Sequence, residues 1–198
     1  MDASAELVVP EMTPGAQRIL AVASDLFYRR GIHAVGVDTI AAESGITKRT
    51  LYDRFGSKDH LVEVYLQARH AAWWVRLEER LAEAPRPRVL AVFDAYVDDP
   101  LPSDRGCGFL NAAGELPSEH PAQAVVRAHK RAVRRLLAEL VREERPDLED
   151  PDGTADEVFL LLEGSIAHRG LGDGDALMRR ARERATQLLE AGGQDGKR

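Results

Sequence analysis

The chain of 198 residues is 44% hydrophobic and 30% charged, with a formal net charge of -6. That balance belongs to a soluble globular protein, either one ordinary domain or a small domain fused to a larger one, and no apolar run reaches the roughly 20 residues that cross a bilayer. The acidic start (Asp2, Glu6, Glu11) lacks the basic-then-apolar pattern of a secretory signal. Cys107 is the only cysteine, which excludes an internal disulfide and a Cys-based zinc site and leads us to expect a cytoplasmic protein.

Residues 1–12 show no periodicity and are expected to form a loose arm. Thr13-Pro14 then supplies a helix start, with Thr as the cap and Pro at the first helical position. Ile19, Leu20, Ala23, Leu26 and Phe27 follow at helical spacing, and Gly31 stops the helix just after Arg29 and Arg30. A short helix is predicted over 38–44, ended by Gly45. Thr47 caps a third that runs to Phe55, and Ser57 caps a long one reaching Ala84. Pro85 and Pro87 punctuate, a fifth helix fits Val89 to Val97, residues 98–106 form a loop, and a short helix covers Phe109 to Glu115.

Pro121 opens a long amphipathic helix with Val125, Val126, Ala132, Val133, Leu136, Leu137 and Leu140 on one face. An acidic loop at 146–153 leads to the most apolar segment, a helix over 154–171, and three glycines separate it from a last helix over 175–191. The tail at 193–198 is polar. No alternating run of strand length and no internal repeat is found. The prediction is an all-α fold of about nine helices.

The informative stretch runs from Val35 to Leu66. Two short helices are joined by the tight turn Ser44-Gly45-Ile46-Thr47, and Ile40, Ala41, Ile46 and Leu51 are spaced to pack both against the first helix. This is the helix-turn-helix pattern, whose second helix enters the major groove. Its exposed face carries Lys48, Arg49, Thr50, Tyr52 and Asp53. Lysine and arginine there can reach guanine O6 and N7 or a phosphate, hydroxyls can donate to phosphate oxygens, and Lys58 stands beside the flanking backbone. Between residues 13 and 60 seven basic residues stand against five acidic ones. A mildly basic head is thus joined to an acidic remainder.

Ile40-Ala41, Gly45-Ile46-Thr47, Leu51-Tyr52, Phe55, Lys58 and Leu61 together resemble the TetR family of bacterial regulators. The resemblance covers about Ala16 to Leu66 closely, with a looser similarity at Gly106–Asn111 and the helix from Pro121. It implies an N-terminal three-helix head (13–57) on a helical ligand-binding and dimerisation domain (58–192). It also implies phosphate contacts from Thr47, Tyr52 and Lys58, and base reading by Lys48, Arg49 and Thr50. Gly36 departs from the family, which often has a threonine there that caps the second helix and touches phosphate. Asp38 or Thr39 is left to take that job.

The resemblance further implies an unknown small-molecule effector held among the middle helices. From the aromatic and polar residues there we expect Trp73, Phe93, Tyr96, Phe109, Asn111, His129 and Phe159 to line such a site, with core packing as the competing role. The helix from Thr154 is apolar nearly all round, which marks an interface. The resemblance implies a homodimer through 154–171 and 175–191, and two-fold symmetry then implies a palindromic duplex operator. Ligand binding is expected to shift the long helix from Lys58 to Ala84 and so change the separation of the two reading heads. A repressor is the commoner behaviour in the family.

Other motifs read more plainly. The basic run His129-Lys130-Arg131 with Arg134-Arg135 fits a solvated helix face with i,i+4 partners. None of the six histidines pairs with another or with a carboxylate at metal spacing, His129 and His168 read as pocket or core groups, and Cys107 reads as an ordinary buried cysteine rather than a redox sensor. No converging nucleophile and base, phosphate loop or Glu-x-x-His pair is present, so no enzyme, cofactor or metal is expected. A protein-only adaptor would have no need for Thr47, Lys48, Arg49, Tyr52 and Lys58 at one end.

Overall fold

The computed structural model describes residues 7–97 and 104–191. Part of the arm expected at 1–12, most of the loop at 98–106 and the whole tail at 193–198 lie outside the described residues. Within them stand nine helices and no strand: α1 (Pro14–Arg30), α2 (Val37–Ser44), α3 (Lys48–Phe55), α4 (Lys58–Glu83), α5 (Val89–Val97), α6 (Gly108–Glu115), α7 (Ala122–Glu144), α8 (Pro151–Ala167) and α9 (Gly174–Glu190). No described helix is long and apolar enough to cross a membrane.

The chain packs as two compact units. Among the described residues, one holds 7–72 together with Gly108–His129, and the other holds 73–97, 104–107 and 130–191. α4 and α7 therefore contribute one part to each.

In the first unit, α1 begins where the sequence predicts. Thr13 Oγ1 accepts from the Ala16 N–H at 3.4 Å, and Pro14 occupies the opening position, where a missing N–H costs nothing. Gly31 stops the helix at φ 91°, its N–H bonded to the Phe27 carbonyl. The buried stripe of α1 (Ile19, Leu20, Ala23, Leu26, Phe27) meets Ile40 and Ala41 of α2 and Leu51 and Phe55 of α3 in one small core. Full burial of a side chain such as Ile40 or Leu51 is worth about 1.5–3 kcal/mol, so these few residues fix how the three helices cross. α6 ends under its own cap: Gln123 Nε2 donates to the Ala113 and Leu116 carbonyls at 3.1 and 2.9 Å, satisfying groups that a helix end leaves orphaned.

The second unit is built on α5, α8 and α9. α5 is buried on nearly every side through Val89, Leu90, Val92, Phe93 and Tyr96, and it packs on α9. Arg182 of α9 reaches both carboxylate oxygens of Asp94, at 2.8 and 3.1 Å. α8 and α9 lie against each other along Val158, Leu162 and Ile166 on one side and Met178, Ala181, Ala185 and Leu189 on the other. Both last helices are displaced from the expected 154–171 and 175–191. Asp150 caps α8 by accepting from the Gly153 N–H at 2.8 Å, and Pro151 takes the first helical position, so the helix starts three residues early. Gly170 (φ 80°) and Gly172 (φ 55°) fall in the left-handed region, so the chain has left the helix before reaching Leu171.

Candidate nucleic-acid interface

The turn between α2 and α3 is made by Gly45 at φ 66° and ψ 27°. A left-handed residue at this point lets the Gly45 and Ile46 N–H groups close back on the Ala42 and Ala41 carbonyls, at 3.2 and 3.1 Å. α3 then starts cleanly. Thr47 Oγ1 accepts from the Thr50 N–H at 3.2 Å and lies 2.9 Å from Thr50 Oγ1. The buried edge of α3 is Leu51 and Phe55, which turns Lys48, Arg49 and Tyr52 outward. The Arg49 side chain is 92% exposed, with Asp53 one turn away at 4.0 Å, and Tyr52 is 42% exposed. A short helix anchored on one side and offering a guanidinium, an ammonium and a phenol on the other can lie in a groove and meet base edges and phosphates.

Three features of this surface escape sequence reasoning. Lys48 Nζ sits 3.0 and 3.1 Å from the two carboxylate oxygens of Asp38, and this hydrogen bond and charge hold the ammonium above the ordinary lysine pKa. Lys58 Nζ donates to the Ile32 carbonyl at 2.6 Å, and burial pulls its pKa down. Gly36 stands at the N-cap of α2 and gives that start no side-chain hydrogen bond. Thr39 is half-buried in the first turn of α2. The polar spacing signalled that these groups face outward, but not which backbone oxygen or carboxylate they meet.

The residues expected to hold an effector fall into two groups, one in each unit. Trp73 packs against Tyr96 with ring centroids 4.6 Å apart and against Trp74 at 5.9 Å, Phe93 is fully buried, and Phe159 is half-buried on α8. In the other unit Phe109 stacks on His129 at 3.7 Å with rings 7° from parallel, and Asn111 is half-buried on α6. His129 Nδ1 is 3.0 Å from Nδ1 of His70, a residue that the sequence pattern did not single out. α4 and α7 thus bring together two rings 59 positions apart, a contact that sequence spacing does not show. One Nδ1 must donate and the other accept, so at least one ring is neutral, and burial pushes the His70 pKa down.

The basic run on α7 is corrected in part. Arg134 pairs outward with Asp156, but His129 is fully buried and Lys130 turns inward, its Nζ 2.6 Å from Glu163 and 3.4 Å from the buried Cys107 Sγ. On α8 and α9 an open groove of about 730 Å³ is lined by Leu160, Leu161, Leu177 and Ala181, with Leu160 68% exposed.

A three-helix head with an outward-facing capped helix after a left-handed glycine turn is the helix-turn-helix arrangement of DNA-binding heads. Residues 19–65 match the profile described as bacterial regulatory proteins, tetR family. Over 84 residues the chain is 38% identical to the HTH-type transcriptional activator FasR of Mycolicibacterium smegmatis, a match that covers 41% of this chain and 38% of FasR. The fold is shared with a TetR-family transcriptional regulator from Streptomyces coelicolor, at 29% identity and a TM-score of 0.83 over 91% of this chain and 96% of that one. A TetR-type protein from Streptomyces avermitilis is similar at 29% identity and a TM-score of 0.77, covering 91% and 98%. Residues 19–65 are thus similar to the tetR family of bacterial regulatory proteins, and the fold of the chain is that of TetR-family regulators. The proteins it is similar to are transcriptional regulators, and the chain spans under half the length of FasR.

Proposed function

We propose that this protein is a DNA-binding transcriptional regulator of the TetR family, a ligand-responsive repressor that works in the cytoplasm and binds a palindromic operator as a homodimer. In this reading 1–12 is an arm, 13–57 the reading head, 58–192 the ligand-binding and dimerisation domain and 193–198 a tail. Thr39, Thr47, Lys48, Arg49, Thr50, Tyr52 and Lys58 contact duplex DNA. The observation that carries the dimer is the leucine surface of α8 and α9. Leu160 and Leu177 are 68 and 42% exposed and line one groove with Leu161 and Ala181, and an exposed apolar surface of this kind marks an interface. A second copy related by a two-fold axis covers that surface and sets two α3 helices against successive major grooves.

The effector reading is supported by the buried aromatic groups, the Trp73–Tyr96 packing in one unit and the Phe109–His129–His70 stack in the other. Both combine apolar walls with a few polar atoms, the chemistry of a small-molecule site. A second reading, activation, is favoured by the name of the FasR relative. Selection of tight sites from random duplex DNA tests the operator, and a palindrome is the expected product. Trp73 and Trp74 fluorescence, titrated with apolar aromatic and acyl compounds, reports ligand entry. A compound that enters without changing operator affinity contradicts release by ligand.

A further inference from the structure

Asp38 stands where a DNA-facing surface has least use for a negative charge. It lies in the first turn of α2 and is 81% exposed, and its two oxygens bracket Lys48 Nζ at 3.0 and 3.1 Å from across the turn. Exposed pairs of this kind contribute little to stability, so folding alone does not account for a carboxylate there. A carboxylate in the first turn does suit the helix dipole. It also occupies the side of an uncapped helix start that would otherwise draw a phosphate, since Gly36 supplies no side chain. The rest of the outward face is balanced in the same way, with Asp53 one turn from Arg49.

We propose that Asp38 is a specificity-determining residue of the reading head, which keeps Lys48 from binding phosphate indiscriminately and yields it only to a site offering an equally good pair of acceptors. Lys48 bound to Asp38 is already neutralised and doubly accepted. Random duplex offers it a phosphate oxygen, and taking that oxygen means abandoning Asp38 and leaving a bare carboxylate against the polyanion. A guanine at the right position offers O6 and N7 together, which matches what Asp38 provides. Asp38 therefore lowers sequence-independent affinity more than operator affinity, and the ratio between them rises.

The proposal rests on the DNA-binding role given above to α3, and the experiment separates the two. Binding of wild type, Asp38→Asn, Lys48→Ala and the double variant is measured on the selected operator and on random duplex across a salt series. Asp38→Asn is expected to steepen the salt slope on random duplex by about 0.9, the contribution of one added phosphate contact, and to tighten binding there about tenfold near 50 mM salt. Operator affinity is expected to rise less, so that the ratio falls. In the Lys48→Ala background the Asp38→Asn effect is expected to shrink, because the released ammonium is gone. If wild type binds duplex with a clear salt slope and Asp38→Asn leaves slope and ratio unchanged, or acts equally with and without Lys48, the proposal fails and the DNA-binding head stands. If folded wild type binds neither duplex, both fail.

Discussion

Arg49 is the residue whose setting most plainly favours contact with a partner over a role in the fold. Its side chain is 92% exposed, and Asp53 stands 4.0 Å away. Arg49→Ala is therefore expected to leave the melting temperature within error and to weaken operator binding about tenfold or more, as loss of a base-reading arginine does. Binding titrations beside thermal melts check both halves. His70 is the opposite kind of residue, almost fully buried on its partner His129. Its folded pKa lies below the ordinary 6.5, so the unfolded chain takes up a proton that the folded chain refuses. The stability involved is complete above about pH 6.5 and is lost as the pH falls from there toward the folded value. The urea midpoint of wild type is expected to drop more between pH 7.5 and 5.5, roughly one unit either side of that pKa, than that of His70→Gln. Equal drops would show that His70 does not carry the effect. Arg49 was legible in the sequence because exposure follows from helical spacing. The His70–His129 pair was not, because it depends on how two helices far apart in sequence come together.

At the level of the helix, most starts and stops were written locally. Thr13, Thr47 and Ser57 each cap the helix that follows, and Gly31, Gly45 and Gly56 each end the one before. These signals act over three or four residues, which is why they can be seen without knowing the fold. Thr47→Ala is expected to cost about 1 kcal/mol through loss of the bond to the Thr50 N–H, and Thr47→Ser to restore most of it. Chemical denaturation of the three proteins measures this. Equal stability of the alanine and serine variants would mean that the cap contributes nothing. The start of α8 was misjudged for a related reason. Asp150-Pro151 is as good a start signal as Thr13-Pro14, but its acidic, glycine-bearing surroundings resemble a loop, and only the Asp150 bond to the Gly153 N–H decides the matter. The inward turn of Lys130 was hidden too. A lysine among arginines looks solvated until the carboxylate of Glu163 is found waiting on another helix.

For the molecule as a whole, the all-α architecture and the reading head followed from periodicity and one well-spaced motif, whereas the effector residues did not sort themselves. The sequence pooled Trp73, Phe93, Tyr96, Phe109, Asn111, His129 and Phe159, and the structure divides them between two units. Burial alone does not separate a pocket wall from a core side chain. The assembly is open to a direct test. Leu160→Glu with Leu177→Glu places two charges on the exposed leucine surface and is expected to give a folded monomer by sedimentation, with operator affinity down by well over tenfold because one head replaces two. A dimer that survives both changes would move the interface elsewhere. The central claim is that α3 and its flanks grip duplex DNA. The most direct test is operator affinity against salt for wild type and for Thr47→Ala/Arg49→Ala/Tyr52→Ala. A wild-type slope of about -0.9 per phosphate contacted, with tight binding lost in the folded triple variant, is expected. A flat slope, or a triple variant that binds as wild type does, would contradict it.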